Sequence, residues 1–146
     1  MNSQTVDRAD VSATEAVSSV YTCPVPHSPQ EVSGVRRRAL RVLAAWGTPG
    51  AAAEDALLVI SEMVTNAVLH AMPPAELRLF IHADGDRRAI RVEVTDGGAA
   101  PVWPGTTPCP DESGRGAVVV DALAIRHGSV SRSSGTTTWW ADLPAR

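Results

Sequence analysis

The chain has 146 residues, of which 44% are hydrophobic and 20% are charged, and its formal net charge is −3. This length and composition predict one globular domain with a single hydrophobic core. Because no basic run is longer than Arg36, Arg37 and Arg38, the sequence lacks the basic footprint of a nucleic-acid-binding protein.

The sequence also bears on the cellular compartment. It begins without the charged-then-apolar pattern of a signal peptide, and no apolar run approaches the roughly 20 residues that cross a bilayer. Its two cysteines, Cys23 and Cys109, lack the spacing of a metal site, and we expect free thiols rather than a disulfide. A cytoplasmic protein that does not bind a membrane is therefore expected.

The N-terminal residues predict a tail followed by a strand. Residues 1–19 mix serine, threonine, alanine and acidic residues without a period, which predicts a flexible tail and places the folded domain at 20–146. Residues 20–25 predict a short edge strand, because Pro24 limits the pairing of that strand.

The first predicted helix follows a strong start signal. Ser28 can cap it, Pro29 suits the first helical position, and Glu31 completes a capping box. The helix is expected to run to about Trp46, where residues 47–50 (Gly-Thr-Pro-Gly) end it. Its predicted buried face consists of Val32, Val35, Ala39, Val42, Leu43 and Trp46.

Residues 51–71 predict a second, longer helix. Glu62, Asn66 and His70 are each four residues apart and drift by only about 40° per step, so they form one polar stripe, expected opposite the apolar one. Seen alone, such a stripe is usually a solvated face. A carboxylate, an amide and an imidazole aligned in this way can also serve a magnesium–phosphate site. The apolar positions are Leu57, Ile60, Val64, Ala67, Val68 and Ala71.

Two extended runs follow this helix. Apolar residues alternate along residues 77–83 and 89–95, which predicts a hairpin with one face on the core. Glycine, proline, serine and threonine then dominate residues 96–116. A stretch of this length without regular structure inside a compact domain is often a functional lid.

The C-terminal elements complete the predicted fold. Residues 117–123 predict a short helix, and residues 125–132 and 136–143 predict a second hairpin. The order of strand, two helices, hairpin, loop, helix and hairpin predicts an α+β fold. We expect a two-layer sandwich, with a mixed, largely antiparallel sheet covered on one face by helices.

Two glycine-containing stretches could carry chemistry. Asp96-Gly97-Gly98 is ordinary turn chemistry, but it could also place a carboxylate at a strand end where glycine lets a ligand approach. The stretch Gly114-Arg115-Gly116 leads into the predicted helix. Many loops enter helices in this way, but glycines at a helix N-terminus can also point free N–H groups at an anion.

The last predicted strand begins with Thr136-Thr137-Thr138, for which β-branched strand preference is a sufficient explanation. Trp139 and Trp140 follow. As neighbours in a strand they should lie on opposite faces, and we expect both to pack rather than to bind a ligand.

Taken together, these motifs resemble a known family. E-x-x-x-N on a helix, D-G-G after a strand, G-R-G before a helix and a threonine-rich last strand resemble the histidine-kinase-like ATPase superfamily, whose nucleotide-binding domain is the Bergerat fold. S-E-M-V-T-N-A-V-L-H-A and G-R-G-x-x-x-V-D-A-L-A are similar to its anti-sigma-factor serine-protein-kinase branch of small ATP-binding regulators. The resemblance covers about residues 20–143 and departs from the usual glycine at Ala100.

The resemblance implies ATP and Mg²⁺ as cofactors. Asn66 would ligate the magnesium that bridges the phosphates, and Glu62 would be the general base that polarises the attacking hydroxyl of a protein serine. Asp96 would hold the adenine amino group, and Gly98 would give the base room.

The remaining implied residues lie in the C-terminal part. Gly114, Arg115 and Gly116 would wrap the phosphates as a lid closes, and Thr138 would reach the adenine from the last strand. His70 is at a family-typical position, for which a purely structural role is equally compatible.

The leading functional hypothesis is therefore an anti-sigma-factor-type serine/threonine kinase. Such a protein sequesters a sigma factor and phosphorylates an anti-sigma-factor antagonist protein, and relatives in this branch dimerise. One alternative is a regulator that binds ATP without catalysis, and another is a stand-alone ATPase domain of a sensor histidine kinase system. A third alternative is an α+β binding module without a nucleotide.

Overall fold

The computed structural model describes residues 19–100 and 110–145, and for residues 110–116 it describes the backbone alone. These residues form an α+β fold. In chain order its elements are β1 (Ser19–Val25), a 3-10 turn (Pro29–Glu31), α1 (Val32–Ala45), α2 (Gly50–His70), β2 (Ala75–Asp84), β3 (Arg87–Asp96), α3 (Pro110–Leu123), β4 (Arg126–Ser131) and β5 (Thr137–Pro144). None of the described helices is long and apolar enough to cross a membrane.

The five strands form one sheet in the order β1-β2-β3-β5-β4. All four pairings of the described strands are antiparallel, so the prediction of a mixed sheet was wrong in this respect. β1 is an edge strand, as predicted. Its Pro24, opposite Glu76, is tolerated because β1 has a neighbour on one side only.

The hydrophobic core lies between this sheet and the helices. Register pairs Leu79 with Val92 and Val92 with Ala141, so one face of the three central strands is continuous and apolar. This face follows from the alternation seen in the sequence. The fully buried aliphatic residues of the core include Val35, Leu43, Val59, Ile60, Val64, Leu77, Leu79, Ile90, Val92, Val94 and Leu143.

The start of α1 differs from the prediction. A 3-10 turn precedes the helix, and Ser28 makes no side-chain capping bond. Its hydroxyl donates instead to Oε1 of Gln30, so the predicted capping box was wrong. The end of α1 agrees with the prediction, because Gly47 adopts a φ of +75° just beyond the helix.

Helix α3 begins earlier than the sequence pattern indicated. It starts at Pro110 rather than at residue 117, so the predicted loop was wrong over residues 110–116. Residues 101–109 lie outside the described residues. Glycines lower helix propensity by about 1 kcal/mol each relative to alanine, which is why Gly114 and Gly116 favoured a loop in the sequence. Pro110 itself suits a helix start.

The sheet face opposite the hydrophobic core carries a buried polar network that the sequence patterns did not indicate. Asp142 accepts hydrogen bonds from Arg91 at 2.5 and 2.8 Å and from Arg126 at 3.0 Å, and Nε2 of His82 lies 3.3 Å from it. Burial alone would raise the pKa of Asp142, but the bonds from Arg91 and His82 lower it to about 2. One carboxylate thus connects β2, β3, β4 and β5.

The predicted free thiol is found at Cys23, which is buried and unbridged. Cys109 lies outside the described residues.

Candidate functional site

Backbone hydrogen bonds fix the loop after β3 to the C-terminal end of α2. The N–H of Gly97 donates to the carbonyl of Met72 at 2.7 Å, and the N–H of Met72 donates to the carbonyl of Gly98 at 2.8 Å. Asp96 is the last residue of β3. These bonds therefore bring the Asp96 strand end beside the helix end that carries Asn66.

The carboxylate of Asp96 is buried, and the residue is 2% exposed. Its Oδ1 accepts a bond from the N–H of Gly98 at 2.8 Å, and its Oδ2 accepts one from Nε1–H of Trp139 at 3.2 Å. An ionised carboxylate can accept about four hydrogen bonds. Asp96 therefore keeps acceptor capacity for a ligand donor such as an amine.

The two glycines after Asp96 are required by the protein's own backbone. A Cβ on Gly97 would lie 2.6 Å from the carbonyl oxygen of Pro73. Gly98 has a φ of +98°, and a Cβ there would overlap the carbonyl oxygen of Gly135. The space beside Gly98 is thus filled by the β4–β5 turn, whereas the resemblance implied that this space is left for a base.

The polar stripe borders the buried face of α2. Glu62, Asn66 and His70 are all half-buried. Val59 is fully buried and lies seven residues before Asn66, so the two differ by only about 20° around the helix axis. The prediction that the stripe lies opposite the apolar face was wrong, because the buried arc of α2 is wider than the sequence spacing indicated.

The two flanks of α2 face different neighbours. Ser61 and Thr65 lie on one flank, where they line a cleft of about 340 Å³ together with Val32, Ser33 and Arg36 of the neighbouring segment. Because the stripe lies on the flank away from α1 and α3 also packs against α2, we expect the stripe on the side of α2 that is turned towards α3. The candidate site is therefore the region between α2, α3 and the Asp96 loop.

The stretch Gly114-Arg115-Gly116 lies inside α3 and not before it. In a regular α-helix only the N–H groups of the first turn lack an intrahelical acceptor, and in α3 that turn begins at Pro110, which has no N–H of its own, and ends before Gly114. The N–H groups of residues 114–116 are thus engaged within the helix. The prediction that they are free to bind an anion was wrong for this structure, and a phosphate-binding role for Arg115 stays a prediction.

The threonines of β5 divide between the two faces of the sheet. Thr137 is directly opposite Asp96 in the register and is half-buried. Thr138 is opposite Thr95 on the other face, is fully buried, and is bonded to the hydroxyl of Thr95 and to Nη1 of Arg132, both at 2.7 Å. The structure therefore brings Thr137 to Asp96 and places Thr138 away from it.

The two tryptophans also lie on opposite faces. Trp139 is opposite Val94 of the core face, is 40% exposed, and bonds to Asp96. Trp140 lies on the sheet face opposite the core, where the guanidinium of Arg91 is 4.4 Å from its ring centre. Sequence reasoning did not assign Trp139 to the site. The available signal was its position two residues after Thr137, which puts both side chains on one face.

A family model described as "Histidine kinase-like ATPase domain" matches residues 25–141. The chain belongs to this family. A crystal structure of the RsbU and RsbW domains of Rv1364c from Mycobacterium tuberculosis is similar, with a TM-score of 0.60 and 19% identity. The match covers 87% of this chain and 32% of that one, so this chain spans about a third of that protein. At 19% identity, the similarity to that structure shows only that the two proteins share a fold. A comparison with curated proteins gives no match.

The chemistry of the side chains fits the cofactors expected of a histidine kinase-like ATPase domain. Glu62 and Asn66 offer a carboxylate and an amide oxygen one helical turn apart, and Mg²⁺ prefers such hard oxygen ligands. No group of three or more His, Cys, Asp or Glu side chains suited to a metal occurs among the residues that the structure describes. A protein site with few ligands is compatible with Mg²⁺, which takes much of its coordination from phosphates and water.

Proposed function

We propose that this histidine kinase-like ATPase domain binds ATP with Mg²⁺ between α2 and α3 and transfers the γ-phosphate to a serine or threonine of a partner protein. The observation that carries the proposal is the backbone fixation of the Asp96 loop to the end of α2. This fixation brings the buried carboxylate of Asp96, which can accept a hydrogen bond from an amine, close to the helix that carries the candidate metal-ligating oxygens of Glu62 and Asn66. The family membership supports ATP as the ligand.

The base would be recognised at the end of β3. The remaining acceptor capacity of Asp96 suits the exocyclic amine of adenine and disfavours the carbonyl of guanine at the same position. Thr137 shares the face of Asp96 and can supply a second polar contact. We therefore assign to Thr137 the role that the family resemblance gave to Thr138. Gly98 acts by shaping the loop.

The phosphates would lie along the stripe. Asn66 would hold Mg²⁺ through its amide oxygen, and the bound cation would supply neutralisation of phosphate charge. Glu62, one turn earlier on the same flank, would accept the proton of the attacking hydroxyl. Arg115 on α3 would contribute a positive charge near the phosphates.

The partners proposed are those of the anti-sigma-factor branch. The chain would sequester a sigma factor in one state and phosphorylate an antagonist protein in another, as a homodimer. Two observations support this branch: the sequence motifs of α2 and α3, and the similarity to a protein with an RsbW domain. An ATP-dependent conformational change would alter the protein surface available to each partner.

The test is a phosphate-transfer assay with γ-labelled ATP and a candidate antagonist, run beside calorimetry of ATP binding. We expect label on the antagonist with the wild-type protein, and none with Glu62→Gln, which should still bind ATP. If both proteins bind ATP but neither transfers phosphate to the antagonist, the result would favour the alternative of a non-catalytic ATP-binding regulator. Absence of ATP binding by a folded wild-type protein would contradict the proposal as a whole.

A further inference from the structure

We propose that Trp139 is a gate over the base-recognising carboxylate. Its indole N–H bonds to Oδ2 of Asp96, a residue that is only 2% exposed, and the indole must move aside before the amine of a purine can reach that oxygen. The inference rests on the proposed function, since it concerns the same nucleotide site. It adds a residue that neither the sequence motifs nor the family membership assigned to the site.

Because Asp96 is buried, a neighbouring group must move before a ligand can reach its carboxylate. Asp96 is only 2% exposed, so a ligand amine cannot reach its carboxylate in the structure as described. Of the two described donors to this carboxylate, the Gly98 N–H belongs to a crowded backbone that is pressed against the carbonyl of Gly135. Trp139 is a side chain that is 40% exposed. The group free to leave is therefore the indole.

The gate also has a physical reason to exist. Burying a carboxylate without hydrogen-bond partners destabilises the protein, and the free-energy cost is larger than that of burying a neutral polar group in the same way. The Trp139 N–H supplies one of these bonds until a ligand donor replaces it. An incoming amine then exchanges one N–H donor for another, so the gain from that hydrogen bond is reduced by the bond that is lost. Trp139 thereby lowers the affinity for amine-bearing bases in particular.

The test compares two nucleotides that differ in the amine. ADP carries the exocyclic amine, and IDP carries a carbonyl oxygen in its place. Trp139→Phe removes the N–H and retains an aromatic ring, and Trp140→Phe is the matched control because its ring lies on the opposite face of the sheet. Calorimetry with Mg²⁺ measures the affinity of wild type and both variants for each nucleotide.

We expect Trp139→Phe to bind ADP about three- to tenfold more tightly, which corresponds to one hydrogen bond regained. Its affinity for IDP should stay the same or fall, so the ratio of ADP to IDP affinity should rise. Trp140→Phe should leave the ratio unchanged. A ratio that does not rise in Trp139→Phe, or a weaker affinity for ADP, would overturn the gate.

A second measurement follows the wild-type protein and does not depend on the nucleotide affinity of a variant at position 139. The indole N–H resonance of Trp139 in the wild-type protein, assigned from Trp→Phe variants at the four tryptophans, should move upfield on addition of ADP and stay in place with IDP. Binding of ADP without this shift would contradict the gate and leave the proposed ATP-binding function intact. Failure of the folded wild-type protein to bind any adenine nucleotide would instead contradict the proposed function, and the gate with it.

Discussion

Gly98 lies so close to the carbonyl oxygen of Gly135 that no Cβ fits between them. The contact joins the loop after β3 to the turn between β4 and β5. Gly98 also has a φ of +98°, in the region that favours glycine. The backbone contact therefore helps to position the Asp96 carboxylate, whose Oδ1 accepts the Gly98 N–H.

Gly98→Ala should lower the free energy of unfolding by about 3 kcal/mol, because backbone strain and the clash with Gly135 act together. Gly85→Ala is the matched control, since Gly85 has a φ of +66° but open space around its Cβ position. Strain alone should cost about 1 to 2 kcal/mol there. Urea unfolding measures both values. Equal losses would show that the Gly135 contact does not constrain the loop.

Asn66→Ala should abolish the binding of ATP in the presence of Mg²⁺, because the amide is assigned to the metal. Thr65→Ala is the control: its side chain lies on the other flank of α2, in the cleft shared with α1, and its ATP affinity should be that of wild type. Calorimetry should show that the difference between Asn66→Ala and wild type disappears when EDTA replaces Mg²⁺. An unchanged affinity of Asn66→Ala with Mg²⁺ would refute the assignment.

Valine substitutions at the two neighbouring threonines should have separate effects. Thr137→Val should weaken ADP binding by about tenfold, as expected for one polar contact, with little change in stability. Thr138→Val should leave ADP binding unchanged but lower the free energy of unfolding by about 1 to 3 kcal/mol, since Thr95 and Arg132 each lose a buried partner. The reverse pattern would return the nucleotide role to Thr138.

The Asp142 network should make stability depend on acid pH. Because the pKa of Asp142 is lowered from 3.8 to about 2 in the fold, its carboxylate stabilises the native state above about pH 4. This contribution, about 2 kcal/mol, is lost as the pH falls from about 4 towards 2. Urea unfolding at a series of pH values between 7 and 2 measures this decline.

Asp142→Asn should be less stable than wild type by about 3 to 5 kcal/mol at pH 7, because it removes the carboxylate that the buried Arg91 guanidinium bonds directly and leaves only Glu93, at 3.7 Å, as its counter-charge. Its stability should also fall less steeply than that of wild type between pH 4 and 2. Asp86→Asn, in the exposed turn between β2 and β3, is the control and should keep the wild-type profile. If the free energy of unfolding of Asp142→Asn falls as steeply as that of wild type between pH 4 and 2, Asp142 is not the residue responsible for the acid dependence.

Most of the fold could be predicted from local patterns. The alternation of apolar residues in β2 and β3, the three-and-four spacing in α2 and the glycine after α1 each depend on neighbours within one element, so the sequence contains the necessary information. The errors occurred where this information is ambiguous. The 3-10 turn at Pro29–Glu31 replaced a predicted cap, and the glycines at 114 and 116 are part of a helix.

The site was less predictable, because it depends on residues far apart in the chain. Asp96, Glu62 and Asn66 stood out through residue type and spacing. Three consecutive threonines, by contrast, carry no indication of which one faces Asp96, since a shift of one residue exchanges the two faces of a strand. The pairing of β3 with β5 makes that choice, and with it places Trp139 on Asp96. Local periodicity predicts elements and their faces, whereas the partner of each face is set by packing between distant segments.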